Sequence, residues 1–228
     1  MRADGSAGGG RPSSLFCLVT SGSDRGTTAA ARAESLIAIV ESAVASGIDL
    51  VQIREPELPA QVLLGIARRA VAASRATSTR IVINDRLDVA LAAGAAGVHL
   101  GGHSLPVARV RATVLGGFLV GRSVHSVAEA RSVAEEGGAD YLIAGTVFPS
   151  ASKRDATNWL GTAGLAAIVA AVPVPVLGIG GITLDRVRDV GRTRAAGLAA
   201  IGLFADASRL AATVREARSL FDSGKAIP

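Results

Sequence analysis

The sequence contains a single cysteine, Cys17, so no disulfide can form within the chain. Cys17 lies in the apolar run Leu15–Val19, where a buried thiol is the simplest reading. The chain suits a reducing compartment, and a cytoplasmic location is expected. Aromatic residues make up only 3% of the total, too few for a platform that stacks single-stranded nucleic acid. Lys and Arg number 24 against 19 Asp and Glu, a net charge of +5. The basic residues are mostly single arginines along helical stretches with acids nearby, with no run of five or six, so no nucleic-acid surface is expected. Met1–Ser14 is rich in Gly, Ser and Arg and lacks the apolar segment of a secretory signal, so residues 1–14 read as a flexible tail. Charge is missing from Ala156 to Leu184, a span long enough to raise a membrane crossing. Pro173, Pro175, Gly178, Gly180 and Gly181 interrupt it, and a short helix followed by a buried strand is expected instead, with no membrane partner.

What the sequence has in abundance is apolar residues, 49% of 228, enough for a sizeable core. They fall into a repeated pattern of a short apolar run followed by an Ala/Arg/Leu-rich helical stretch. Eight strands are expected: Leu15–Thr20, Leu50–Arg54, Arg80–Asn84, Gly97–Leu100, Leu119–Ser123, Tyr141–Gly145, Val174–Ile179 and Ala199–Ile201. Each is apolar nearly throughout, as strands covered on both faces of a parallel sheet should be. The helices between them are expected at Ala29–Ala45, Pro59–Ser74, Arg86–Ala93, Pro106–Leu115, Val127–Glu136, Gly164–Ala171, Leu184–Val190 and Ser208–Phe221. Eight such units from Leu15 to Asp222, about 26 residues apiece, predict a single (β/α)8 TIM barrel over 15–222, with a C-terminal tail at 223–228. The alternative is an open doubly wound sheet, whose first turn would carry GxGxxG. The turn here, Ser21-Gly22-Ser23-Asp24-Arg25-Gly26, does not match it.

A barrel places its chemistry at the C-terminal ends of the strands, where the polar residues of this sequence gather. The Gly180-Gly181 turn after strand 7 and the Ile201-Gly202 turn after strand 8 suit a phosphate held by backbone N–H groups, with a short extra helix over Leu203–Ala205. Arg54 at the end of strand 2 suits an oxyanion clamp, and Lys153 in the polar loop Ser150–Asn158 suits a second anion or a lid. Asn84-Asp85 suits a substrate amide or Mg²⁺, with Asp85 as cap of the next helix the rival reading. His125 after strand 5 suits proton transfer, and Ser126 with Glu129 reads as a capping box for the helix that follows.

VQIRE (51–55), INDRLDVALAAGAAGVHLG (83–101), GRSVHS (121–126), GADYLIAGTVFPSASK (138–153) and PVLGIGGIT (175–183) resemble the thiamin phosphate synthase and thiazole tautomerase superfamily. The likeness covers most of Leu15–Ala207 and implies a (β/α)8 barrel by itself. It implies small-molecule partners: a thiazole phosphate and, for the synthase, a pyrimidine diphosphate. The synthase joins the two with Mg²⁺ and releases pyrophosphate; the tautomerase aromatises the thiazole phosphate by a proton shift and uses no cofactor. By the resemblance Gln52, Arg54, Asn84, His99 and Ser123 receive the pyrimidine diphosphate, and Asp85 is one Mg²⁺ ligand. Ser150, Ser152 and Lys153 match the pyrophosphate loop, and Gly180, Gly181, Ile201 and Gly202 the thiazole-phosphate cradle. The catalytic set expected is His125, Arg54, Ser123 and Lys153.

Two positions depart from the synthase pattern. Pro56 stands where it has a lysine, and Ser104, in Gly102-His103-Ser104, where it has the second Mg²⁺-binding Asp. Both remove charge where the leaving group's charge develops. His103 is the alternative ligand there, though imidazole is a poor match for hard Mg²⁺. GRSVHS, with His125, is closer to the tautomerase. The tautomerase reading is therefore placed narrowly first, the synthase second and a non-catalytic thiamin-phosphate-binding protein third; a homo-oligomer is left open.

Overall fold

A computed structural model describes residues 14–21, 28–149 and 159–226. Apart from Ser14, the expected N-terminal tail lies outside them. The elements alternate as β1 (Leu15–Val19), α1 (Ala29–Ala45), β2 (Leu50–Ile53), α2 (Ala60–Ser74), β3 (Arg80–Asn84), α3 (Leu87–Ala93), β4 (Gly97–Leu100), α4 (Val107–Arg111), β5 (Leu119–Val124), α5 (Val127–Glu136), β6 (Tyr141–Gly145), α6 (Gly161–Ala171), β7 (Val176–Ile179), α7 (Leu184–Arg192), β8 (Gly197–Ala200) and α8 (Leu210–Lys225). All strand pairs are parallel and β8 returns to β1, closing the barrel expected from the sequence. No helix among the described residues is long and apolar enough to cross a membrane.

The strands are apolar on both faces because each face is buried differently. Phe16, Leu18, Val51, Ile53, Ile81, Ile83, Val98 and Leu100 point outward and pack with the helices, including Leu63, Ile66 and Ala67 of α2. Cys17, Val19, Leu50, Val82, Tyr141, Ile143, Leu177 and Ala199 fill the interior. Burial there pushes the Cys17 thiol up to about 12, which keeps it protonated and inert.

Helix ends differ from expectation for local reasons. α4 stops at Arg111, short of Leu115, where the Thr113 hydroxyl donates to the Arg109 and Val110 carbonyls. α8 continues to Lys225, past the expected end at Phe221. Ser223-Gly224 looked like the start of a tail, but Gly224 lets α8 touch α7: a Cβ there would lie 2.3 Å from the Arg188 carbonyl oxygen.

α8 also ties down the starts of β1 and β2, at the end of the barrel opposite the mouth. Arg218 donates from Nη1 to the Ser14 carbonyl (2.5 Å) and from Nη2 to the Gly47 carbonyl (2.8 Å) and Asp49 Oδ2 (2.7 Å), and lies 4.7 Å over the Phe16 ring. Arg218→Ala is expected to lower the unfolding free energy by about 2 kcal/mol in urea titrations, with activity unchanged at temperatures where the variant stays folded.

Candidate active site

The mouth is built from strand ends. Gln52 on β2 is buried and donates from Nε2 to Asn84 Oδ1 at 2.8 Å, and Asn84 Nδ2 donates to Asp85 Oδ2 at 2.8 Å. The direction of this chain is fixed at one end. A carboxylate only accepts, so Asn84 must turn its amide nitrogen to Asp85 and its oxygen to Gln52. Gln52 Oε1 is thereby left as an acceptor, buried without a hydrogen-bond partner among the described residues.

Asp85 is exposed at the rim and adopts φ 58°, a left-handed backbone that Asp tolerates better than most side chains. Its Oδ1 accepts from the Gly101 N–H at 2.8 Å and from the Ser104 hydroxyl. It does not cap α3, whose N-cap is Arg86 with no side-chain bond. The loop carrying Ser104 is tied to β5 by Arg122, which donates to the Gly102 and Leu105 carbonyls at 3.2 and 3.3 Å.

Beside this chain runs a second one. His99 on β4 is fully buried, with Nε2 2.9 Å from Ser123 Oγ and Nδ1 3.3 Å from the Tyr141 hydroxyl. Burial, with Arg122 adding to it against Asp85, holds the imidazole down at about 4 and so neutral at pH 7. Ser123 is half-buried and Asp85 N–H donates to the His99 carbonyl at 2.8 Å, so the two chains adjoin.

The expected phosphate turns lie on neighbouring strands, since Ile179 of β7 pairs with Ala199 of β8. Gly180 and Gly181 have φ of 103° and 60°, and a Cβ on either would come within 2.3 Å of Thr146 or Pro149, so only glycine fits. Arg186 fixes the turn, donating to the Gly181 carbonyl at 2.8 Å with its guanidinium 5.0 Å over the Phe148 ring. A Cβ on Gly202 would meet open space, and a short 3₁₀ turn spans Gly202–Phe204 with Ile201 before it, one residue earlier than expected.

Other expected residues stand apart from these groups. His125 is exposed and bound to its own helix: its N–H donates to Glu129 Oε2 at 2.8 Å and Nδ1 lies 3.2 Å from the same oxygen. Ser126 caps α5 as expected, accepting from the Glu129 N–H. The Arg54 guanidinium is exposed and makes no hydrogen bond or ion pair among the described residues. Ser150, Ser152 and Lys153 lie outside the described residues.

Sequence reasoning passed over Thr20, Glu55 and Tyr141. Glu55 is buried, accepting from the Thr20 hydroxyl at 2.7 Å and Arg32 Nη2 at 3.0 Å, while Thr20 Oγ1 accepts from the Arg54 N–H at 2.9 Å. That triad fixes the backbone from which Arg54 projects. The signal was the acid of VQIRE, which periodicity alone would have put in solvent.

The donors at the rim bear on Mg²⁺. This ion is commonly held by one or two carboxylates together with substrate phosphate oxygens and water. Among the described residues no three His, Cys, Asp or Glu side chains gather in a metal cage. Asp85 with the adjoining Ser104 hydroxyl supplies one carboxylate and one neutral oxygen, a hard-oxygen donor pair that fits Mg²⁺ arriving on a diphosphate.

A family model described as thiamine monophosphate synthase matches residues 17–204. A thiamine-phosphate synthase of Methanoculleus marisnigri is 42% identical over 184 residues, covering 81% of this chain and 87% of the relative. Another, of Moorella thermoacetica, is 39% identical over 182 residues, covering 80% and 86%. The solved thiamine phosphate pyrophosphorylase of Pyrococcus furiosus superposes with a TM-score of 0.76 at 28% identity, covering 93% of this chain and 98% of that one. These relatives carry the synthase name, which reverses the narrow preference for the tautomerase drawn from GRSVHS and His125. Family model, relatives and barrel agree that this chain belongs to the thiamine monophosphate synthase family of thiamin biosynthesis, a family of transferases.

Proposed function

We propose that this protein joins a hydroxymethylpyrimidine diphosphate to a thiazole phosphate and releases pyrophosphate. The observation that carries this reading is the directed chain from Asp85 through Asn84 to Gln52, which ends in a buried acceptor with no donor among the described residues. An exocyclic amine on a pyrimidine would supply the missing donor. A tautomerase acts on the thiazole phosphate alone and needs no subsite for a second heterocycle. His125, bound to Glu129 on an exposed helix start, gives the tautomerase reading no comparable support.

In this mechanism Gln52, Asn84 and Ser123 orient the pyrimidine, and Gly180, Gly181, Ile201 and Gly202 hold the thiazole phosphate so that its ring faces the carbon losing pyrophosphate. Asp85 and Ser104 would hold Mg²⁺ on the diphosphate, which when bound neutralises charge on the departing pyrophosphate. With Pro56 uncharged, Arg54, and by the family resemblance Lys153, would answer that charge. Purified protein given both substrates and Mg²⁺ is expected to release pyrophosphate, and EDTA to stop it. Isomerisation of the thiazole phosphate in EDTA without coupling would restore the tautomerase reading. Tight binding of thiamin phosphate with no turnover of either kind would single out a binding protein.

A further inference from the structure

We propose that Tyr141 is a positioning residue that makes Ser123 a hydrogen-bond donor to the substrate, by fixing which nitrogen of His99 carries the proton. The inference rests on the synthase reading for the identity of the substrate, and it deepens that reading by naming what Ser123 recognises.

In a neutral imidazole one nitrogen donates and the other accepts. The Tyr141 hydroxyl has one partner among the described residues, His99 Nδ1 at 3.3 Å, and the ring is 3% exposed. If Nδ1 carried the proton, the phenol would have to accept it, and its own hydrogen would be buried with no acceptor. The phenol therefore donates to Nδ1, and the proton of His99 sits on Nε2. Nε2–H then donates to Ser123 Oγ, 2.9 Å away. The serine hydrogen is left free for the mouth. In the opposite tautomer that hydrogen would be spent on Nε2, and Ser123 could offer only lone pairs. One phenol hydrogen thus decides whether the serine donates or accepts.

Gly121 supports the same contact independently. A Cβ there would lie 2.2 Å from Tyr141 Cζ, 2.5 Å from its hydroxyl and 2.6 Å from His99 Nδ1. The strand leaves out a side chain at the one place where it would separate phenol from imidazole. The group this arrangement recognises is an unprotonated ring nitrogen of an aromatic heterocycle, a lone pair in the ring plane that takes the Ser123 hydrogen.

The test is nitrogen NMR on the full chain labelled with ¹⁵N-histidine, the His99 signals being those absent from His99→Gln. The expected spectrum shows Nε2 as the protonated nitrogen and Nδ1 as the bare one. Tyr141→Phe keeps the ring and removes the hydroxyl. It is expected to leave His99 as a mixture of tautomers and to raise the KM for the pyrimidine diphosphate about tenfold, with the KM for thiazole phosphate unmoved. Ser123→Ala is expected to leave the Nε2–H tautomer in place, because Tyr141 sets it. Protonation at Nδ1 in the wild type would overturn the proposal. So would a tautomer that follows Ser123, or a Tyr141→Phe variant that shifts neither the tautomer nor the pyrimidine KM, or shifts both KMs alike. The spectra need no turnover. A wild-type protein that releases no pyrophosphate would remove the synthase reading and leave the tautomer result standing, with calorimetric binding of the pyrimidine diphosphate replacing KM.

Discussion

Asp85→Asn is expected to lower the rate of pyrophosphate release about 10²- to 10³-fold while the protein stays folded. Two losses coincide in that one atom change. The rim loses the carboxylate in contact with Ser104, which on the proposed function would be the anionic protein ligand of Mg²⁺ carried on a diphosphate. The directed chain also loses its fixed end. An amide at position 85 can donate its nitrogen to Asn84 Oδ1, and Asn84 and Gln52 are then free to reverse, which removes the free acceptor at Gln52 Oε1. Asn tolerates the φ of 58° at this position nearly as well as Asp, so a folding defect does not confound the result. Ser104→Asp is the complementary change. It places a second carboxylate beside Asp85, and the Mg²⁺ concentration giving half-maximal rate is expected to fall. Activity equal to wild type in Asp85→Asn, measured at saturating Mg²⁺, would remove Asp85 from the reaction and with it the main support for the pyrimidine subsite.

The barrel was legible because eight apolar runs alternate with amphipathic stretches, and both burial faces of each strand demand that composition. Strand edges were less so. β8 was expected at Ala199–Ile201 and lies at Gly197–Ala200, because an Ala- and Gly-rich segment has no β-branched signal and its start is set by pairing of Gly197 with Leu15 and Leu177. The site residues could be named one by one, since each follows an apolar run, but not how they connect. Gln52 meets Asn84 across 32 positions of chain, a contact made by the parallel register of β2 and β3. Tyr141 was hidden for a different reason. In the string YLIAG it reads as core, and core it is; only the bare space at Gly121 and the imidazole beyond it give its hydroxyl a task. His125 shows the reverse relation between sequence and contacts. Its place in the sequence matches an acid/base, while its nearest partner is the acid one helical turn ahead.

His99 ties the site to stability in a way that can be measured without substrate. Its imidazole is neutral in the folded protein down to about pH 4, held there by burial, whereas in the unfolded chain it takes a proton near 6.5. Between those values the unfolded state binds more protons than the native one, so stability is full above about pH 6.5 and declines as pH falls toward 4. The difference amounts to about 3 kcal/mol. Carboxylates titrate in part of the same window, so the informative quantity is a difference between two proteins. His99→Gln keeps a polar side chain next to Ser123 and Tyr141 and cannot titrate. It starts out less stable than wild type at pH 7, having lost a fitted ring. The gap in unfolding free energy between wild type and His99→Gln, followed by urea titration from pH 7 to pH 4, is expected to shrink by about 3 kcal/mol. Curves that run parallel through the window would mean that His99 is protonated in the folded protein as readily as in the unfolded one. The neutral ring on which the Ser123 hydrogen bond depends would then be absent at acid pH.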